Sequence, residues 1–384
     1  MRWLFPRIFE RYLAIQIYQI FGFILFALLA LFVFFDYLNE VNAIAGNYTN
    51  ALAFLHILLK APSRLVEIIP IAGLIGAIYV FALMASQSEF TILRMAGLNI
   101  PKGILTLVKI GLPVIVITLL LSEWVGPYCE SLSEKIRANA LGNQLGASFQ
   151  TGSWVKDQML DSGEDGSRKA GVRYVNVASI KSSDEILGIR MYEFDDKRNL
   201  MVIRSAESGS YDKKGFWKLT NVSETRFKEI PAKDPIDGKF IAKTINMPSE
   251  ELKSEVTPGI LSVLLISPEK MSILSLYRFI EHLEENKQSG QNYKIALWKK
   301  IVYPFTILVM LTLALPFGYL NARSGGISIK VFGGIMLGMS FQLINTLFSH
   351  VGLLGAWPAP MTAMIPPAFY FSMGLAGLYW VSRR

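Results

Sequence analysis

The sequence predicts an α+β membrane protein in which six transmembrane helices, in two groups of three, flank an antiparallel β domain. Of the 384 residues, 52% are hydrophobic and only 18% are charged, which is more apolar surface than a soluble protein of this length easily buries. Several apolar runs reach the roughly 20 residues that a helix needs to cross a bilayer. Between the third and fourth runs, a long polar region shows the alternation that is typical of strands.

Uninterrupted apolar runs define the six predicted spans in order. The first run begins near Tyr12 and continues past Leu31, which is too long for a signal-peptide core, and no small-residue cleavage site follows it. We therefore predict that the first run is retained as a helix. The predicted spans are Tyr12–Phe35, Leu65–Met84, Ile104–Val125, Ile301–Leu320, Val331–Phe348 and Met361–Val381.

Positive charge in the short loops predicts how the spans are oriented. The basic residues on one side are Arg2, Arg7, Arg11, Arg94, Lys102, Arg323, Lys330, Arg383 and Arg384. The opposite loops are poorer in positive charge, with Lys60 and Arg64 at the mouth of the second span. We therefore expect a multi-pass inner-membrane protein with both termini in the cytoplasm and the β domain in the periplasm. These membrane-surface residues also explain the net charge of +8 without nucleic acid.

The insert between the third and fourth spans predicts short strands separated by turns. Asp195–Asn199 is a turn signal, and Tyr211–Trp217 predicts a hairpin with Gly215 at its permissive position. This pattern favours an antiparallel sandwich or jelly roll. The predicted divisions are a membrane half at 1–141, a β jelly roll at 142–267, and a connecting helix with the second membrane half at 268–384.

No arrangement of residues that performs catalysis or binds a cofactor can be recognised in the sequence. It has no G-x-x-x-x-G-K-[ST] motif, so we expect no nucleotide-binding loop in this chain. His56, His282 and His350 lie far apart, and the single cysteine, Cys129, allows neither an internal disulfide nor a zinc cluster. The prediction is that the chain is not an enzyme and binds no cofactor or metal.

A short segment between the second and third spans, about 87–98, predicts an amphipathic helix on the cytoplasmic side. The apolar residues that can share one face are Phe90, Leu93 and Leu98. Ser86 or Ser88 can cap its start, Glu89 favours the positive end of the helix dipole, and Gly97 suits its end. Such a helix can dock a cytoplasmic partner or pack on lipid headgroups, and the pattern alone favours neither.

Polar side chains in and near the spans are further candidates for function. Asp36 and Glu67 lie near span ends, and Glu123 lies in the outer part of the third span. A carboxylate within the apolar slab is costly and usually faces a partner or a wet cavity, although exposure at the interface suits these depths equally well. Lys109 lies a few residues into the third span, where it can extend toward the cytoplasm.

Five segments occur in order over nearly the whole chain. They are Ile69-Pro70 with Gly73 and Gly76; Ser88-Glu89 with Met95-Ala96-Gly97-Leu98; Ser122-Glu123-Trp124-Val125-Gly126-Pro127; Gly152-Ser153-Trp154-Val155-Lys156-Asp157; and Trp298-Lys299-Lys300-Ile301 with Pro304. Their combination resembles the LptF/LptG permease family, which exports lipopolysaccharide. The Glu-Trp-Val and Gly-x-Trp-x-Lys-Asp segments are more similar to the LptG branch than to the LptF branch.

The resemblance implies an ABC-transporter permease that extracts lipopolysaccharide from the inner membrane and passes it to a periplasmic β-jelly-roll bridge. Ser88, Glu89 and Arg94 would contact a separate LptB-like ATPase dimer, which would bind the ATP and magnesium. The other implied partners are an LptF-like permease, an LptC-like single-span protein and, indirectly, an LptA-like bridge protein. The alternatives are the LptF position itself, or a membrane-anchored adaptor or mechanical transducer that transports nothing.

The resemblance also implies a lipid cavity and a gate. The cavity residues would be Asp36, Lys135 and Arg137, and the polar membrane or gate residues would be Glu67, Glu123, Gly334 and Gly338. Family members carry basic residues where this chain has Val33, Asn39, Glu40 and Glu134. We therefore expect a weaker or displaced phosphate clamp, because the lipid is less charged or because the LptF-like partner supplies the cations. Ordinary internal packing is the alternative for the glycines.

Overall fold

The computed structural model describes residues 8–44, 46–95, 97–141, 153–160, 169–182, 185–195, 198–212, 216–230, 239–254, 256, 267–285, 288–319, 326–355 and 357–383. Within this part of the chain, six helices are long and apolar enough to cross a membrane. They are Ile8–Val41, Asn50–Ser86, Ile100–Arg137, Gln291–Tyr319, Ile327–Leu354 and Ala359–Val381. These helices confirm the six predicted spans. Arg2, Arg7, Arg323, Arg384 and the hairpin residue Gly215 lie outside the described residues.

Three spans precede the sheet. The helices are α1 (Ile8–Val41), α2 (Asn50–Ser86), α3 (Glu89–Met95), α4 (Ile100–Leu120) and α5 (Gly126–Leu141), and a π-helical turn, Leu121–Val125, joins the last two. The side chain of Asn99 accepts a hydrogen bond from the Lys102 amide and so caps α4. We call the end of the helical body that carries α3 the α3 end, and the end where α5 leads to the sheet the sheet end.

Three spans also follow the sheet. The helices are α6 (Ile273–Glu285), α7 (Gln291–Val302), α8 (Thr306–Ala314), α9 (Pro316–Tyr319), α10 (Ile327–Leu354) and α11 (Ala359–Ser382). A 3₁₀ turn, Pro268–Lys270, precedes α6, and another, Tyr303–Phe305, separates α7 from α8. The fourth span is interrupted at Pro304 and Pro316 because proline lacks the N–H that continues a helical ladder.

The described strands form a single antiparallel sheet. They are β1 (Ser153–Leu160), β2 (Lys169–Ser182), β3 (Glu185–Phe194), β4 (Leu200–Asp212), β5 (Phe216–Ile230) and β6 (Lys239–Lys253), paired in chain order. The register places Tyr211 opposite Trp217, which confirms the predicted hairpin. The antiparallel β domain is therefore confirmed, while the jelly roll stays a prediction; in the described part, each strand pairs with its neighbour in sequence. Short connections favour this pairing.

The helices pack around α2, and 78% of the most apolar 18-residue stretch of α2 is buried. Its core side chains include Leu74, Ile78 and Phe81. In contrast, the buried residues of α1 are Glu10, Leu13, Ala14 and Ile17, which all lie near its first residue. Thus α1 is packed firmly at the α3 end, while the remainder of this long helix contributes no buried side chain.

Candidate functional site

At the α3 end, Phe90 attaches α3 to the helical body. Its ring is buried, with its centroid 5.9 Å from that of Phe81 and 4.9 Å from that of Tyr319. Gly318 permits this approach, since a Cβ at that position would lie 3.0 Å from the Phe90 ring. Leu98 is also buried and Leu93 packs against the same core. The predicted apolar face is therefore confirmed.

The end of α3 follows the sequence prediction more closely than its start. Gly97 has φ +96°, and the amides of Gly97 and Leu98 donate to the carbonyls of Arg94 and Leu93. This is the paired arrangement of a Schellman turn, for which glycine is favoured. Of the two serines predicted as alternatives for the cap, Ser86 does not cap α3, because its hydroxyl donates back into α2, to Leu83 O; the Ser88 carbonyl accepts from the Ile92 amide.

The opposite side of α3 presents apolar and charged groups. Ile92 and Met95 are 64% and 83% exposed. The Arg94 guanidinium lies over the Tyr319 ring, 4.9 Å from its centroid, and Glu89 accepts a hydrogen bond from the Tyr12 hydroxyl at 3.0 Å. An open groove of about 760 Å³ adjoins these residues; its lining includes Ile8, Phe9, Met84 and Leu93. An exposed apolar surface with charged groups is typical of a protein-docking site.

Lys109 is held within the helical body instead of extending alone. Its ammonium lies 2.9 Å from the carboxylate of Glu10, which is buried on α1. A charged side chain at this depth needs an opposite charge to offset its desolvation. The pair joins the start of α1 to α4, and the sequence analysis missed it because the two residues are 99 positions apart.

At the sheet end, two carboxylates hold Arg64 of α2. Asp36, on α1, accepts two hydrogen bonds from the guanidinium, at 2.9 and 3.0 Å. Glu67, one turn further along α2, accepts a third at 3.0 Å. The predicted candidates Asp36 and Glu67 therefore meet at one cation. Both carboxylates therefore have a cationic partner within this chain.

The predicted lipid-phosphate residue Arg137 is also paired with a carboxylate. Its Nε donates to Glu40 Oε1 at 2.7 Å, and the buried Tyr48 hydroxyl donates to the same oxygen at 3.1 Å. Burial raises the pKa of Tyr48, and Glu40 adds to that effect, so the hydroxyl remains a donor. The other predicted cation, Lys135, is exposed on α5. Arg137 is therefore neutralised by a carboxylate of this chain.

Glu123 connects the third span to the segment that leaves the sheet. It lies in the π-helical turn, and its Oε2 accepts a hydrogen bond from the Ile273 amide at 3.0 Å. Its Oε1 lies 3.9 Å from the Lys300 ammonium, which also donates to the Met271 carbonyl. Glu123 is thus a structural anchor for the start of α6.

A polar pocket of about 310 Å³ lies between α2, the π-helical turn, α7 and α10. The residues that line it include Arg64, Glu67, Lys299, Tyr303, Gln342 and Asn345. Tyr303, Gln342 and Asn345 lie in predicted spans. The sequence does not show that their side chains meet, because that depends on how the helices pack. The pocket brings polar groups of α7 and α10 close to Arg64 and Glu67.

The glycines of the fifth span pack within this chain. A Cβ on Gly334 would lie 2.6 Å from Ile78 of α2, and one on Gly338 would lie 3.1 Å from Ile71. The small residues thus allow α10 to approach α2 closely, as small residues do between membrane helices. This packing supports the alternative of internal contact for Gly334 and Gly338, and their gate role stays a prediction.

A row of buried ion pairs crosses the sheet. Arg173 donates to Glu193 at 2.8 Å, and Arg204 donates to Glu193 at 2.7 Å and to Glu224 at 2.9 Å. Burial opposes the charge of Arg204, but the neighbouring carboxylates outweigh it and raise the pKa of Arg204. Burial also raises the pKa of Glu250, despite its contact with Arg204.

Known proteins with related sequences match most of this chain. Residues 11–380 match the family model described as lipopolysaccharide export system permease LptF/LptG. The lipopolysaccharide export system permease protein LptG of Escherichia coli strain K12 is 27% identical over 334 residues, which cover 86% of each chain. The LptG protein of Haemophilus influenzae is 28% identical over 327 residues, which cover 85% of this chain and 84% of the relative.

Proposed function

The chain belongs to the LptF/LptG family of lipopolysaccharide export permeases, and from that premise we propose that it is the LptG-type subunit of an ABC transporter. In this proposal it extracts lipopolysaccharide from the inner membrane, together with an LptF-like permease. The relatives named LptG, which match most of the chain, support this position. An LptC-like single-span protein would add a helix beside α1, and an LptA-like protein would receive the lipid.

The observation that carries the proposal is the placement of α3. It is fixed to the helical body by Phe90, and it presents Ile92 and Met95 outward beside Glu89. A rigidly attached helix with an exposed apolar surface can transmit movement of a bound partner to the spans. We propose that an LptB-like ATPase dimer docks there, that ATP binding closes the lipid cavity through α3, and that this chain itself hydrolyses nothing.

The orientation of the chain follows from the positive residues at the α3 end. Arg94 and Lys102 lie there, and positive charge is retained on the cytoplasmic side of membranes. The α3 end and both termini would therefore lie in the cytoplasm, where an ATPase has access to ATP. The sheet would lie in the periplasm.

The periplasmic sheet would shelter the lipid on its way out. Exposing acyl chains to water costs about 0.8 kcal/mol per methylene, so a lipid with several chains needs a continuous apolar path. The sheet has an apolar face that includes Val175, Ile189 and Leu219. Its outer strands in the described part, β1 and β6, offer edges to which another sheet can pair. The transfer of lipid to the partner bridge would use these two properties.

Reconstitution with the proposed partners tests this function. The complex is expected to copurify with an ATPase and to hydrolyse ATP faster when lipopolysaccharide is added. Glu89→Arg should abolish copurification with the ATPase while leaving insertion and pairing with the LptF-like subunit intact; normal copurification would refute the role of α3. ATP turnover that is insensitive to lipid would instead favour the mechanical transducer.

A further inference from the structure

The two ion pairs that join the sheet end of α1 to other helices in the described part of the chain share one arrangement. Asp36 and Glu40 are one helical turn apart on α1, whereas their cations, Arg64 and Arg137, lie on α2 and α5. Residues at this spacing lie on one face of a helix. The sheet end of α1 is therefore attached to its neighbours through carboxylates on α1 and guanidinium groups on the helices beside it.

Apolar packing does not provide a comparable attachment at this end. The last buried residue of α1 is Ile17, and Phe34, Phe35 and Leu38 are all exposed. Beyond the two ion pairs, the contacts near this end include Arg64 over the Phe32 ring, a 6.2 Å edge contact between the rings of Tyr37 and the half-exposed Phe54, and a 3.5 Å contact between Tyr37 and Asn50. The α3 end of α1, in contrast, is held by Leu13, Ala14, Ile17 and the Glu10–Lys109 pair.

In each ion pair, one of the two residues has a second partner that would remain after the pair separates. If Glu40 separates from Arg137, the Tyr48 hydroxyl still donates to Glu40. If Asp36 separates from Arg64, Glu67 still accepts from Arg64. The remaining partners reduce the cost of separation, because a buried charge without a partner is far more costly than one that keeps a hydrogen bond.

A phosphate group is suited to replace these carboxylates. Both arginine side chains are about one-third exposed, with 31% for each, so a ligand has access to them. Arginine binds phosphate with the same paired geometry that it uses for carboxylate, and a phosphate carries more negative charge. Replacement of Asp36 and Glu40 would free the sheet end of α1 while leaving Arg64 and Arg137 neutralised.

We propose that Asp36 and Glu40 are displaceable counter-ions that hold the sheet end of α1 closed until the phosphates of the lipid replace them at Arg64 and Arg137. This inference rests on the proposed function, since it takes a phosphorylated lipid as the ligand. On this proposal, the sheet end of α1 responds only to a phosphorylated lipid because phosphate is needed to displace these two carboxylates. The outward movement of α1 would pivot about its packed α3 end.

Spin-label distances in the complete complex, embedded in nanodiscs, test the proposal. In a Cys129→Ser background, Leu38→Cys with Leu58→Cys reports on the sheet end of α1, and Ile8→Cys with Leu105→Cys is the matched pair for the α3 end; all four positions are exposed. The probes are phosphorylated lipopolysaccharide and the same lipid after treatment with phosphatase. Only the phosphorylated lipid should lengthen the Leu38–Leu58 distance, and neither should change the Ile8–Leu105 distance.

The neutral double variant Asp36→Asn with Glu40→Gln provides a second test of the proposal. It should show the longer Leu38–Leu58 distance without lipid. It should also reach half-maximal stimulation of ATP turnover at a phosphorylated-lipid concentration lower by about threefold to tenfold, as expected when weak competing ion pairs are removed.

Unchanged distances in the double variant, or equal responses to the two lipids, would overturn the counter-ion proposal. If the native complex still responds to lipopolysaccharide in ATP turnover, the proposed function survives that result. A native complex that neither associates with an ATPase nor responds to lipid would instead overturn the proposed function, and the counter-ion proposal with it.

Discussion

The carboxylate of Glu123 accepts a hydrogen bond from the backbone amide of Ile273 at 3.0 Å, although the two residues are 150 positions apart. The contact joins the third span to the first turn of α6, after the chain has passed through the whole sheet. A second pair, Glu130 with Lys270 at 2.8 Å, supports the same junction. Motion of the third span is therefore coupled to the segment that leaves the sheet.

Replacement of Glu123 by alanine should loosen this junction. The Ile273 amide would lose its acceptor, and Lys300 would lose a nearby carboxylate, so we expect a loss of about 1–3 kcal/mol in the free energy of unfolding. Limited proteolysis near Ser267–Ser272 should accelerate. Glu269→Ala is the control, since Glu269 is exposed and lies 4.0 Å from its cation; equal effects of the two variants would contradict the anchoring role.

Two neighbouring residues of α3 should separate attachment from docking. Phe90→Ala removes a buried ring and should cost about 3–5 kcal/mol in the free energy of unfolding. Ile92→Ala removes an exposed side chain, so the stability should change little while association with the ATPase weakens. Thermal unfolding and copurification measure the two effects, and normal ATPase association of Ile92→Ala would argue against the exposed face as the docking surface.

Adjacent glycines in α10 offer a matched test of internal packing. Gly334→Val places a side chain against Ile78 and should destabilise the protein by about 1–3 kcal/mol. Gly333→Val should be close to neutral in stability, since a Cβ at that position has no atom within 4 Å in this chain. Thermal unfolding of each variant, in detergent and without the partner permease, gives the comparison. Similar destabilisation by both would contradict the packing of Gly334 on α2.

The buried ion pairs of the sheet predict opposite pH effects for two glutamates. Arg226 and Arg204 outweigh the opposing effect of burial and lower the pKa of Glu224, so its contribution to stability is present above its unfolded pKa and is lost as the pH falls through the folded value. Burial raises the pKa of Glu250, so its contribution is present at acid pH and is lost as the pH rises through the folded value.

Glutamine substitutions measure these two contributions. Glu224→Gln should destabilise the sheet at neutral pH, with a difference that disappears toward acid pH. Glu250→Gln should stabilise it at neutral pH, and that gain should also disappear toward acid pH. Urea unfolding of the full chain, followed by the fluorescence of Trp217 against a Trp217→Phe blank, reports on the sheet. Parallel effects of the two variants would refute the assignment of opposite shifts.

Local patterns predicted the spans and the end of α3, because both depend on neighbouring residues. An apolar run specifies a membrane helix whatever surrounds it, and Gly97 supplies the backbone conformation that ends α3. The partners of Asp36, Glu40 and Glu123 could not be predicted in the same way. Their pairing depends on the rotation and spacing of helices that are distant in sequence.

The sheet and the fifth span illustrate the same limit. Alternation and turn signals predicted the strands. A sandwich and a sheet paired in chain order have the same local pattern, so the strand order could be found only from the structure. A row of small residues predicts close helix contact without naming the neighbour. Only the structure shows that Gly334 faces α2 while Gly333 has open space beside it.

The π-helical turn at Leu121–Val125 determines the direction in which each side chain of α5 points around the helix axis. A π turn accommodates one more residue than an α turn, and one residue corresponds to about 100° of helical rotation. Deletion of a single residue there would rotate Ser133 away from His56 of α2, and Arg137 away from Glu40 of α1, without altering any of these side chains. The composition of this helix would be preserved, but its charged groups would point in the wrong direction.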